Sequence, residues 1–557
     1  MLEARLFDVL IRNGRVVDGT GNPSFPADVG ITDGTIAAIG RIPDDASAAT
    51  VIDARSMTVA PGFIDIHSHS DFVIADDSHG EVLAPFAAQG ITTLVTGNCG
   101  YSPAPVNPRT RAELDSYTTF LRAGDVSGGW TGFGDYLEYL DTHGVMFNVV
   151  PMVAHGALRI HEVGFEGREL TPTEQQGMSD QLRKAMEEGA WGLSSGLLYA
   201  PGIFAPPEEI EALAAGLRPF DGFYASHIRG SSETLIPATK EVIRVGEANG
   251  IATQHSHIEA FGRPNWSNID AIIELHEAAR ERGVNTGFDV IPYIAANTTL
   301  LAIFPPWALA GGVDGLLGRL RDPDMRARIL RSIEEDVPSW PCWGPGGWPH
   351  NLVEATGWQN VSIMWVESDA NKPLEGRSLT DIADERGTHP FDVAADLVLE
   401  ENGHAMALYF GVSGEEDEEA GLERLLAHPL ASAESDAILT GRGKPHPAAF
   451  GTFPRVLGHF VRERKLFSLE EAVRKATSLP AQRVGLRRRG TLHEGNFADV
   501  VVFDSETVDD RTTYRAPGAP PVGIEHVIVN GRPVVRDGLV DVTARSGRVV
   551  RRGGADA

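Results

Sequence analysis

The sequence predicts an α/β protein: a (β/α)8 TIM-like barrel with a small β-sandwich domain formed by both chain termini and an insertion late in the barrel. Three observations predict it. Eight apolar runs of strand length alternate with helical patterns through the middle of the chain, the texture of a parallel α/β sheet. Both ends consist of short strands broken by tight-turn dipeptides. Residues able to bind metal or carry protons stand at the C-terminal ends of the runs, the face on which barrel enzymes build their sites.

At 557 residues the chain exceeds one ordinary core, and two or three domains are expected. Residues 1–60 are the N-terminal part of the sandwich. There Phe7–Ile11 and Arg15–Val17 flank Asn13-Gly14, and Asp33-Gly34 precedes Thr35–Ile39; such dipeptides between apolar runs predict hairpins. The barrel spans 61–487. Its eight runs are Phe63–His69, Thr92–Cys99, Asn148–His155, Trp191–Leu198, Phe223–His227, Ile251–His257, Val284–Tyr293 and Ala431–Leu439.

Helix ends are legible between the runs. Thr171-Pro172-Thr173-Glu174 is a capping box with proline at the first helical position. Ser267 starts another helix, with Ile269, Ile272, Ile273 and His276 on one face and Gly283 just past its end. The long gap between Tyr293 and Ala431 holds the insertion, at about 298–425, emerging beside the barrel mouth. Residues 488–557 complete the sandwich with Ala498–Phe503, Gly523–Val529, the turn Asn530-Gly531 and Arg532–Arg536.

Composition narrows the function classes. With 48 Lys+Arg against 77 Asp+Glu the net charge is −29, which argues against nucleic acid or an anionic membrane surface, because phosphate binding depends on basic patches. No apolar run reaches the roughly 18 residues a membrane span needs. Two cysteines, Cys99 and Cys342, make no disulfide framework, and with no secretory pattern at the N-terminus the cytoplasm is the expected location. The expected partners are a small-molecule substrate and, in a homo-oligomer, other copies of this chain.

The ends of the runs carry the chemistry. Run one closes with Asp65-Ile66-His67-Ser68-His69; along a strand of period two, His67 and His69 share a face and can reach one metal. Run two ends in Cys99, run five in His227, run six in His257, and run eight contains Asp436. Each alone has an ordinary structural explanation: a satisfied core histidine, a buried thiol, a helix cap. Together at one end of one barrel they predict a zinc site with an open position for water. Bound water then reaches a pKa near 7, and Asp436 can move its proton to a departing amine. His255, two residues before His257 on the same predicted face, is a rival ligand. His155, His161, His404 and His446 are left structural.

These residues lie in stretches that resemble the amidohydrolase superfamily, and within it the N-acyl-D-amino-acid deacylases (D-aminoacylases). The stretches are Pro61–Asp71, Thr96-Gly97-Asn98-Cys99-Gly100, Gly192–Tyr199, Ala225–Arg229, Gln254–His257, Asp289–Tyr293, Gly451–Val456 and Gly495–Phe503. The resemblance implies a barrel plus a β-sandwich and one tightly held zinc on Cys99, His227 and His257. It also implies a second site, weak or vacant, on His67 and His69 sharing Cys99, with Asp436 as general acid/base. Ser195, Tyr199 and Tyr293, from the same stretches, are candidate substrate-binding residues. The implied reaction is hydrolysis of a linear N-acyl amide, a carbon–nitrogen bond other than a peptide bond, by metal-hydroxide attack.

Two departures bear on the substrate. Where the family often has lysine this chain has Glu259, and where deacylases read His-Pro-Arg it reads His446-Pro447-Ala448. Bidentate carboxylate binding is an arginine property that alanine cannot supply, so a substrate without a free carboxylate is expected unless Lys444 or Arg442 compensates. The alternatives are a cyclic amide or lactone hydrolase, another reaction on the same barrel, and a metal-binding scaffold without turnover.

Overall fold

The computed structural model describes residues 6–124, 129–343 and 347–554. Its centre is a ring of parallel strands: β1 (Phe63–Asp65), β2 (Ile91–Thr96), β3 (Asn148–Pro151, resuming at Val153–Ala154), β4 (Gly192–Gly196), β5 (Phe223–His227), β6 (Ala252–His255), β7 (Thr286–Val290) and β8 (Ala431–Ala433). Each pairs in parallel with the next. The ring closes just beyond the ends of β8 and β1: the Asp436 N–H donates to the His67 carbonyl at 3.0 Å and the His69 N–H to the Ala437 carbonyl at 3.2 Å. All eight predicted runs therefore appear in order as one barrel.

Inside the lower half, Ile64, Val95, Val150, Met152, Trp191, Phe223 and Ala225 pack against Val484, Leu486 and Val550. This apolar plug puts the barrel's opening at the other end, where the strands finish. The outer helices follow the sequence signals closely. The helix Pro172–Glu187 opens on the reciprocal Thr171–Glu174 box. The helix Ile269–Glu281 starts two residues later than Ser267, because Arg263–Asn268 first makes a tighter 3₁₀ segment. Its Ile269, Ile272, Ile273 and His276 are all buried.

Both termini contribute to one nine-stranded sheet in which Val500–Phe503 pairs antiparallel with Thr58–Pro61. One face has its own core of Val9, Ile11, Val29, Ile31, Val500, Val502 and Ile528. The other face, through Val501, Phe503 and Val527, joins the barrel's core. One hairpin expected here is absent. Leu6–Val16 is a single strand, and Asn13-Gly14 is a bulge where the register jumps from Ile11↔Val29 to Gly14↔Ala27 with Asn13 at φ 62°. The left-handed tolerance that suits a tight turn suits a bulge equally well. Asp33-Gly34 and Asn530-Gly531 do make turns between paired strands.

The insertion begins at Ala295, slightly earlier than expected. It contains an antiparallel sheet that the sequence did not suggest, Ala295–Thr299, Met406–Phe410 and Val361–Trp365, with Met406–Phe410 in the middle. Helices including Gly312–Arg321, Pro323–Glu335 and Pro390–Glu400 pack on it around a second core that contains Ile303, Leu317, Ile363 and Leu397.

Candidate metal centre

The barrel mouth gathers six ionisable side chains from five strand ends, and irregular backbone aims several of them. β1 stops at Asp65, so His67 and His69 lie beyond the strand and the expected period-two argument does not place them. They are fixed instead by Asp65, whose carboxylate accepts the His67 N–H at 3.3 Å and the Ser435 N–H and hydroxyl at 3.1 and 2.5 Å. Cys99, His257 and Asp436 all adopt left-handed backbone, with φ of 50°, 35° and 44°. Such conformations are uncommon for non-glycine residues and persist where the surroundings enforce them, often at functional sites. Around Cys99 two glycines make this fit: a Cβ on Gly97 would sit 2.1 Å from the Met152 carbonyl oxygen, and one on Gly100 2.8 Å from the Gly196 nitrogen.

Two ligand groups meet at one sulfur. Cys99 Sγ lies 3.5 Å from His257 Nε2 and 3.8 Å from His227 Nδ1. On its other side it lies 3.1 Å from His67 Nε2. Asp436 Oδ1 is 3.2 Å from His67 Nε2 and 3.1 Å from His69 Nε2. Within Cys99/His227/His257 and within His67/His69/Cys99/Asp436, the donor atoms all lie within 4.8 Å of one another, and all six residues are buried. With zinc–nitrogen bonds of about 2.0–2.1 Å and zinc–sulfur of about 2.3 Å, tetrahedral ligands stand about 3.3–3.6 Å apart. The observed spacings fit such an ion in either group.

Electrostatics point the same way. Burial pushes His67 down, but the charges of Cys99 and Asp436 outweigh it and hold the imidazole well above the ordinary histidine value. Burial likewise disfavours charge on His69, yet hydrogen bonds to Asp436 and Cys99 raise it to about 9. Burial pushes the Cys99 thiol up, while His67 and hydrogen bonds from His227 and His257 bring it well below the usual range. Asp436 is held well below the carboxylate range by His67 and His69, again against burial. The cluster therefore favours added positive charge, which a divalent cation would supply.

A polar cavity lies beside these groups, lined by Leu198, Tyr199, His257, Glu259, Asn297 and Asp436 among others. Of the three candidate substrate residues, the structure brings only Tyr199 to it, with its hydroxyl accepting from Thr298 Oγ1 at 2.9 Å. Ser195 is a correction: it faces the helix layer, bonded to Tyr224 Oη at 2.7 Å and Ser226 Oγ at 3.0 Å, because strand alternation puts it opposite the His227 face. Tyr293 is another: its hydroxyl donates to Asp510 at 2.8 Å, away from the cavity. His255 also points outward, 3.3 Å from His276 Nε2, since the left-handed turn at His257 breaks the parity between the two.

Sequence reasoning gave no role to Asp289, Asn297 or Glu434, and noted Glu259 only as a departure from the family. Asp289 accepts the His257 N–H at 2.6 Å and lies 3.5 Å from His67 Nδ1. Glu259 sits 3.4 Å from His257 Nδ1. Asn297 donates to the Asp436 carbonyl and carboxylate at 3.2 and 3.4 Å. Glu434 is fully buried with both oxygens unpaired, and burial pushes its carboxyl well up. Glu434 stood two residues before Asp436 in run eight, which was the one available signal for it.

Ala448 is fully buried against Ile291 and Tyr293. Lys444 Nζ donates to the Glu375 carbonyl at 2.9 Å and Arg442 to the Ala123 carbonyl at 3.0 Å, and neither lines the cavity. Among the described residues lining it there is no lysine or arginine.

Comparison with known proteins gives concordant results. The amidohydrolase family matches over residues 50–278 and 372–535. The chain is 34% identical over 553 residues to a D-aminoacylase of Alcaligenes xylosoxydans xylosoxydans, covering 99% of both chains. It is 34% identical to an N-acyl-D-glutamate deacylase of the same organism, covering 98% of this chain and 96% of that one. Among solved structures, the N-acyl-D-glutamate deacylase of Bordetella bronchiseptica, complexed with zinc and a phosphonate mimic of the tetrahedral intermediate, superposes with a TM-score of 0.80. That match has 33% identity and covers 98% of this chain and 100% of that one.

If Cys99 joins the two ligand groups, replacing its sulfur should empty both. Cys99→Ser is expected to lose most of the divalent metal that the purified wild-type protein carries, measured by elemental analysis per chain. Full metal content in that variant would remove Cys99 from the site.

Proposed function

The chain belongs to the amidohydrolase family, and from that premise we propose that it hydrolyses a linear N-acyl amide with zinc held by Cys99, His227 and His257. The second group, His67 and His69 with Cys99, is the weaker site. The observation that carries this reading is the placement of Asp436, one carboxylate oxygen within 3.2 Å of His67 and His69, at the edge of a cavity that also touches His227 and His257. Zinc bound there supplies a Lewis acid that acidifies water and polarises a carbonyl.

The chain's own residues do the rest. Asp436 takes the proton of the attacking water and returns it to the departing nitrogen. Asn297 steadies it through its backbone carbonyl and its second oxygen. Tyr199 accepts from Thr298, which leaves its own O–H free to donate to the developing oxyanion of the substrate. Burial and the charge on Cys99 push Tyr199 well above the ordinary tyrosine value, so that proton is present at working pH. Leu198, Phe261 and Leu352 wall the cavity and keep bulk water out.

The cavity also sets the substrate class. It presents the carboxyl groups of Glu259 and Asp436 and no lysine or arginine among the described residues. An unpaired carboxylate buried there costs several kcal/mol, so the amine portion of the substrate carries no free carboxylate at that position. The partner is a small molecule. No helix among the described residues is long and apolar enough to cross a membrane, and two free buried cysteines support a reducing compartment, the cytoplasm.

Two measurements test this reading. Asp436→Asn should retain zinc yet lower turnover by roughly 10²–10⁴-fold, the usual worth of a positioned proton carrier; near-normal turnover at saturating substrate would exclude Asp436 from that role. A comparison of kcat/KM for an N-acyl-D-amino acid and its neutral amide should favour the neutral compound by about tenfold or more. A clear preference for the free acid in the unmodified enzyme would contradict the assignment of a substrate without a free carboxylate.

A further inference from the structure

Next to the polar cavity lies a second, apolar one whose empty space, counting its part open to solvent, is about 630 Å³. The two share Leu198 and Tyr199. The Tyr199 ring stands 4.8 Å from the His227 ring, and Tyr101, on the apolar side, stands 6.0 Å from His69 and 5.4 Å from Tyr199. The apolar cavity therefore adjoins both ligand groups, with the Tyr101 and Tyr199 rings as the wall between. Its far walls are Phe120 and the insertion residues Leu301, Leu309 and Val313, and no Asp, Glu, Lys or Arg lines it among the described residues.

We propose that this cavity holds the acyl chain of the substrate, and that the enzyme acts on amides of extended apolar acyl groups. The inference rests on the amide-hydrolase reading above. The direction of the chain follows from proton transfer. Asp436 lines the polar cavity and not the apolar one, so the nitrogen it protonates stays in the polar cavity. The arm that passes Tyr199 is then attached to the carbonyl carbon. Shared residues Ser116, Phe165, Gly312 and Val313 carry the apolar cavity on into an open groove with Glu113, Arg168 and Asp314 at its rim. A chain long enough to reach that rim returns to water.

The test is a series of N-acyl derivatives of one uncharged amine, from acetyl through butanoyl and hexanoyl to octanoyl. A methylene moved from water into an apolar site is worth about fourfold in binding. We expect kcat/KM to climb by about 100-fold or more from acetyl to octanoyl and to level off beyond the groove. Val313→Trp, which fills the cavity, should reduce the octanoyl-to-acetyl ratio by about tenfold or more. Because the readout is a ratio within one protein sample, loss of folded enzyme does not imitate it. Hydrolysis with a flat chain-length series would overturn the acyl assignment and leave the amide-hydrolase reading standing, and so would a climb that follows the amine substituent instead. No hydrolysis of any member would overturn that reading, and this inference with it.

Discussion

The candidate site depends on one sulfur atom placed between two groups of potential ligands. Cys99 Sγ sits within 3.1–3.8 Å of three imidazoles from three different strand ends, buried beside the Asp436 carboxylate. Negative charge in such a place is costly unless it is paired. That requirement accounts for the surrounding details. His67, His69 and His257 are drawn toward their protonated forms while burial and His257 push His227 the other way, left-handed backbone is tolerated at Cys99, His257 and Asp436, and glycines flank Cys99 where no Cβ fits. The barrel supplies the rigid frame against which these conformations are held, with its closure made by the same backbone that carries His67, His69 and Asp436.

Much of this was legible in the sequence, for identifiable reasons. The eight barrel strands are fully buried parallel strands and read as continuous apolar runs. The candidate ligand residues stand at the ends of those runs, and the Thr171–Glu174 box names its own helix start. What failed did so where a strand stopped earlier than its apolar run. His67, His69 and His257 all lie past the last ladder residue, so side-chain parity along the run misled on His255 and does not account for the convergence of His67 and His69. Ser195 is the converse case. It lies inside β4, where parity does hold, and its motif context outweighed the geometry that turns it toward Tyr224. Asn13-Gly14 shows a third limit, since a turn dipeptide and a bulge dipeptide have the same composition.

The insertion's sheet was not visible in the sequence, because its three strands are short and pair with distant segments. Its consequences are nevertheless large. Asn297 and Thr298, on its first strand, orient Asp436 and Tyr199. Leu301, Leu309 and Val313 build the outer wall of the apolar cavity, and Glu375 occupies Lys444. The barrel thus supplies the chemistry, and the insertion shapes what the chemistry is offered. The absence of a cation at Ala448 and of any lysine or arginine on the described cavity wall belongs to the same division. These residues can change the substrate class without touching the ligand set.

The central claim is that Cys99 is the shared ligand of the metal centre. Anomalous diffraction at the zinc edge from crystals of the zinc-loaded enzyme tests it directly. The strongest peak is expected about 2.3 Å from Cys99 Sγ and within bonding distance of His227 and His257. A weaker second peak should lie across the same sulfur beside His67 and His69. A principal peak more than about 3 Å from that sulfur, for instance among His67, Asp289 and Glu434, whose donor atoms also converge, would contradict it.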